Sequence, residues 1–109
     1  MGHLLGEFEQ LICLALLQLG RKAYGVLIRR VIEERTGRDV SVGAVYTTLD
    51  RLEKKNFVVS RTGDPRPERG GRRRKYYHLT PEGIAVLSAS YDAWKRMSEG
   101  CEALLEGCE

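Results

Sequence analysis

With 109 residues, 42% hydrophobic and 30% charged, the chain has the size and balance of one small domain, and no apolar run reaches the length of a membrane span. Its three cysteines, Cys13, Cys101 and Cys108, are odd in number and lack metal-ligand spacing, which argues against a disulfide framework or a structural zinc site. The net charge is only +3 but unevenly spread, with a local +5 from Arg61 to Lys75 and a local −4 from Glu82 to Glu109, so one part should seek an anion and the other should not. The start, MGHLLGEFEQ, puts acids straight after two leucines and lacks the order of a secretory signal; a cytoplasmic location is expected, with no metal or cofactor.

The segment GEFEQLICLALLQLG places Phe8, Leu11, Ile12, Ala15, Leu16 and Leu19 at helical spacing, with acids in the first turn and Gly20 as a stop. AYGVLIRRVIEERTG predicts a second helix with Val26, Leu27, Val31 and Ile32 inward, Gly25 near its start and Gly37 at its close. After a short extended RDV, Ser41 is a good N-cap for a third helix, SVGAVYTTLDRLEKKN, which Asn56 ends in a left-handed conformation. Val42, Val45, Tyr46, Leu49 and Leu52 form the inward face of that helix. Gly43, Ala44, Thr47, Thr48, Asp50, Arg51 and Lys54 form the outward one.

The period then changes from 3.6 to 2, and FVVSRTGD and RKYYHLT read as a β-hairpin with a long tip rich in Pro, Gly and Arg. Thr80 as N-cap and Pro81 at the first helical position restart a helix, expected to run unbroken to Leu105. Ile84, Leu87, Tyr91, Trp94, Ser98, Cys101, Leu105 and Cys108 fall on it at steps of three and four, an a/d seam longer than the domain could cover by itself. A homodimer is the economical explanation, with Ile84, Leu87, Tyr91, Trp94, Cys101 and Leu105 as interface residues; a helix folded back on its own domain is the alternative. Tyr91 and Trp94 are also candidates to line a site for a small hydrophobic or aromatic effector. Cys101 and Cys108 are more simply small hydrophobes than redox sensors.

Three helices followed by a two-stranded ribbon is the order of a winged helix-turn-helix: mainly α with a small β-hairpin, residues 1–80 forming the DNA-binding part and 81–109 the dimerisation helix. A helix that approaches base edges needs small leading residues and short hydrogen-bonding side chains, which Gly43, Ala44, Thr47 and Thr48 supply. Ser41 and the first-turn amides suit a phosphate, as do Arg51 and the Tyr46 hydroxyl. In the wing, Gly70 and Gly71 let the backbone bend while Arg69, Arg72, Arg73 and Arg74 carry planar, bidentate cations to the DNA backbone or minor groove. The rival reading is a winged-helix protein-interaction module without DNA binding. An enzyme is not expected, because no nucleophile, base and orienting group are grouped in sequence.

AYGVLIRRVIEERTGRDVSVGAVYTTLDRLEKKNFV followed by GGRRRKYYHLTPEG resembles the PadR family of bacterial transcriptional regulators, from about Phe8 to Gly83. The resemblance is carried by Gly43, Tyr46, Leu49, Arg51 and Leu52, then Arg74, Lys75, Tyr76, Tyr77, Leu79, Thr80 and Gly83. It implies a dimeric winged-helix repressor of double-stranded DNA whose single C-terminal helix crosses to the other subunit. It also implies, as in some short members, an aromatic compound held between subunits on a tryptophan in the place of Trp94. The family often has Gly-Tyr where this chain has Tyr24-Gly25, and Gly where it has Asn56.

Overall fold

The computed structural model describes residues 4–63 and 73–107. Helix α1 spans Glu7–Leu19 and passes through a 3₁₀ turn, Gly20–Lys22, into α2, Gly25–Thr36. Helix α3 covers Val42–Lys54, strands β1 and β2 cover Val58–Thr62 and Lys75–Leu79, and α4 and α5 cover Pro81–Ser98 and Glu102–Glu106.

The expected boundary residues act as the sequence predicts. Ser41 is extended and its hydroxyl accepts from the Ala44 amide at 3.0 Å, filling one of the donors a helix start leaves open, worth about 1 kcal/mol. At the other end of α3, Asn56 takes φ 66°, while its amide donates to the Glu53 carbonyl and the Phe57 amide to the Leu52 carbonyl. This paired closure reverses the chain directly into β1. Thr80 caps α4 by accepting from the Gly83 amide at 2.9 Å, and donates its own proton to the Asn56 carbonyl at 2.7 Å. The turn after α3 and the start of α4 are thereby joined.

The hairpin is antiparallel, in a register that pairs Val58 with Leu79, Ser60 with Tyr77 and Arg61 with Tyr76. Two-residue alternation turns Val58 and Tyr77 into the core, and the Tyr77 amide donates to the Ala23 carbonyl at 2.9 Å, so the strand also leans on the lead-in to α2. Ile12, Cys13, Ala15 and Leu16 from α1 meet Ile28 and Ile32 from α2, Val45, Leu49 and Leu52 from α3, and Leu87 from α4. Each large aliphatic side chain fully withdrawn from water there contributes about 1.5–3 kcal/mol.

Three expectations change. In α2 the buried stripe is Gly25, Ile28 and Ile32, and Val26 is exposed. The C-terminal helix is broken: α4 stops at Ser98, Glu99 is extended and Gly100 takes φ 84°. Glycine is a poor helix former and accepts the left-handed conformation without penalty, so Cys101 and Leu105 lie on or beside a separate short helix. Leu87, expected at a seam between subunits, is 4% exposed and belongs to the core of its own domain. Beside it, Ser90 is buried, accepting from the Leu5 amide at 2.9 Å and donating to the Val86 carbonyl at 2.8 Å. The face that α4 spends on its own domain is therefore Gly83, Leu87 and Ser90, leaving Ile84, Tyr91 and Trp94 on an adjacent exposed stripe.

Candidate nucleic-acid interface

Gly43, Ala44, Thr47, Asp50, Arg51 and Lys54 are all exposed along α3, with small residues in its first turns and cations in its last. Nothing but the Ser41 hydroxyl lies within 4 Å of where a Gly43 side chain would begin, so that end of the helix is sterically open. Thr48 departs from expectation, being 4% exposed and buried with Val45, Leu49 and Leu52. It stands three residues after Val45 and four before Leu52, the spacing that puts all three on one face, and it is withdrawn from any surface a duplex would touch.

Tyr46 is 37% exposed and lies between these faces. Its ring covers the start of α2 and is tilted 54° to the Tyr77 ring at 6.5 Å between centroids. Gly25 makes the seat, since a side chain there would collide with the Tyr46 ring, Cε2 lying 2.8 Å from the added carbon. Burial, with Tyr46, Asp50 and Glu53 nearby, pushes the Tyr77 hydroxyl up to about 12, so it stays protonated.

Glu9 connects α1 to the end of α3. Its carboxylate accepts from the Gly6 amide at 2.9 Å and pairs with the Lys55 ammonium at 3.0 Å. Burial alone would raise its pKa, but the Gly6 amide, Lys55 and Arg51 outweigh that and hold the carboxyl below its usual range. One turn further on, burial and then the Glu9 charge push the Cys13 thiol up to about 12, which makes it a packing residue rather than a nucleophile.

Of the four wing arginines, Arg69 and Arg72 lie outside the described residues, as does the tip with Gly70 and Gly71. Arg73 is exposed two residues before β2. Arg74 is half-buried, its guanidinium carbon 3.9 Å from the centroid of the Tyr24 ring. Sequence reasoning missed Arg61, which lies 4.6 Å over Tyr76 and donates to the Arg21 carbonyl at 2.9 Å, and Glu53, which accepts from the Ser60 hydroxyl at 2.7 Å. The strand register would have found the first, because Arg61 stands directly opposite Tyr76.

Helices α1 and α4 border a cleft of about 410 Å³ lined by Glu7, Gln10, Leu11, Leu14, Tyr91 and Trp94. Trp94 is 64% exposed. Among the described residues there is no cluster of three or more His, Cys, Asp or Glu able to hold a metal, and no helix long and apolar enough to cross a membrane.

Residues 13–89, from the middle of α1 well into α4, match the transcriptional regulator PadR-like family. The chain belongs to this family. The PadR-like regulator of Bacillus cereus is similar in structure with a TM-score of 0.73 and 26% identity, covering 90% of each chain. A PadR family transcription regulator of Clostridium difficile superposes with a TM-score of 0.71 and 28% identity over 90% of this chain and 98% of its own. An uncharacterized protein of Lysinibacillus sphaericus is 31% identical over 95% of this chain and 93% of its own. As a PadR-like protein the chain is a DNA-binding transcriptional regulator with a winged-helix fold.

Proposed function

We propose that this PadR-like protein binds double-stranded DNA sequence-specifically as a homodimer and represses transcription by occupying its site. Segment 41–55 enters the major groove. Segment 61–76 lies on the backbone or in the minor groove. The observation that carries the reading is the capped, sterically open start of α3, with Ser41, Gly43 and Thr47 leading and Arg51 following on the exposed side. Thr47 reads a base edge, while the Ser41 cap, Arg51 and the Tyr46 hydroxyl meet phosphates. Arg69, Arg72, Arg73 and Arg74 supply the wing's charge.

Selecting bound duplexes from a random pool tests recognition, half-site symmetry and motif together. On the duplex so recovered, replacing Arg72 and Arg73 by Ala should weaken binding to every sequence and reduce the salt slope by about one unit per lost phosphate contact. Thr47→Ala should change sequence preference instead. Failure to enrich any duplex, with binding to an acidic protein surface in its place, would favour the protein-interaction reading.

A specific observation favours an effector site as well: Tyr91 and the exposed Trp94 border an apolar cleft with Leu11 and Leu14, a setting suited to a flat hydrophobic molecule. Aromatic compounds such as flat planar dyes should quench the sole tryptophan and release the selected duplex. Trp94→Ala should abolish that release, and quenching without any effect on DNA binding would separate the cleft from regulation.

A further inference from the structure

Among the described residues the hairpin has two strands, and such a ribbon is marginal by itself, so its orientation depends on what grips its base. The base of the ribbon is gripped by a chain of side chains that runs arginine, tyrosine, tyrosine, arginine. Arg61 donates to the Arg21 carbonyl at 2.9 Å and lies over Tyr76 at 4.6 Å. Tyr76 meets Tyr24 edge-on at 6.0 Å, and Tyr24 carries Arg74 on its face at 3.9 Å. The chain closes where the strands give way to the tip: the Gly63 amide donates to the Arg74 carbonyl at 2.7 Å, and a side chain on Gly63 would begin 2.7 Å from Tyr76 Cε2. The glycine thus leaves room for the ring that fills the exit of the ribbon. On α3, Glu53 accepts from Ser60 at 2.7 Å and faces Lys75 at 4.0 Å, tying both strands to the helix.

We propose that Tyr24 and Tyr76 are positioning residues for DNA binding, stacking Arg74 and Arg61 so that the wing is held at a fixed angle to α3. The inference rests on the reading of the hairpin as a DNA-contacting wing. It gives Arg74 a role beyond charge. A guanidinium stacks through its face while its donors lie in its plane, so a stacked Arg74 keeps those donors for a phosphate and is aimed by Tyr24.

The test uses the full chain and a random-sequence duplex of about 30 base pairs, long enough for two half-sites one helical turn apart. Affinity is measured between about 50 and 200 mM salt, together with the thermal midpoint. Tyr24→Leu removes no charge, yet should weaken binding about tenfold and lower the salt slope by about one unit. Tyr24→Phe should retain both values, because stacking needs the ring and not the hydroxyl. Arg74→Lys should fall with Tyr24→Leu, whereas a simple phosphate contact would survive the exchange; this charge-conserving variant of a half-buried residue carries the test should Tyr24→Leu lose its fold. Parental affinity and slope in Arg74→Lys or in a folded Tyr24→Leu, with a reduced slope in Arg73→Ala, would overturn the positioning role alone. An unchanged slope in all three would overturn the wing reading with it.

Discussion

Gly83→Ala should lower the thermal midpoint by roughly 12 °C or more, the equivalent of about 3 kcal/mol in a domain of this size. Gly83 is buried in the first turn of α4, and a methyl group there would be driven into the Phe57 carbonyl and sit 3.2 Å from Leu79 Cδ2. The obstacle is backbone, which cannot rotate aside as a side chain would. It is also backbone already committed, because the Phe57 carbonyl accepts from the Thr80 amide at 3.0 Å while Thr80 holds the Asn56 carbonyl at 2.7 Å. Relief requires α4 to back away from the end of α3, opening the junction that aligns the hairpin, Leu79 and Leu87. Gly43→Ala is the informative contrast: its surroundings are open, and alanine's better helical preference should hold or raise stability by about 0.5–1 kcal/mol. Circular dichroism melts of the two variants decide the matter. A Gly83→Ala protein melting within a degree or two of the parent would mean that the α3–α4 junction yields without cost.

The two glycines differ only in what the folded chain brings near them, and the same distinction separates what the sequence discloses from what it conceals. As helix caps and boundary residues, Ser41, Asn56, Thr80 and Pro81 act on backbone groups within five residues, so those roles were legible, whereas the bond from Thr80 to the Asn56 carbonyl was not. So was the hairpin, whose alternation sets Val58 and Tyr77 inward. Thr48 was legible in principle, since its spacing from Val45 and Leu52 outweighs its hydroxyl, and chemical type misled where geometry would not have. Gly100 likewise marked the break after α4. The Glu9–Lys55 pair and the stacking of Arg74 on Tyr24 are different, because each joins residues about fifty positions apart in sequence or nearly so, and no local period encodes such a meeting. In the candidate site, α3 could be drawn from its own pattern. The grip on the wing's base required the fold.

Ile84→Glu is the second variant with a large expected effect, converting the proposed dimer into a monomer and weakening binding to a two-half-site duplex by about 100-fold or more. Leu17, Ile84, Tyr91 and Trp94 are each about half exposed or more, and the first three border an apolar cleft of about 280 Å³ with Leu14, Leu87 and Ser88. So large an apolar stripe across two helices is the kind of surface that a second copy covers, and the same patch on both copies makes a two-fold contact self-complementary. A carboxylate at Ile84 would be stranded in that contact without a partner, yet it would remain in water on the isolated chain, so the fold should persist. The loss in DNA binding follows from linkage, because a dimer that has docked one recognition helix presents the second at high effective concentration, and a monomer does not. Light scattering reads the first outcome and duplex titration the second. A single half-site should be bound almost equally by parent and variant, which separates lost pairing from a damaged α3. Retention of the dimer would move the seam away from the α1–α4 stripe, whereas a monomer with undiminished affinity would mean that each chain reads its DNA alone.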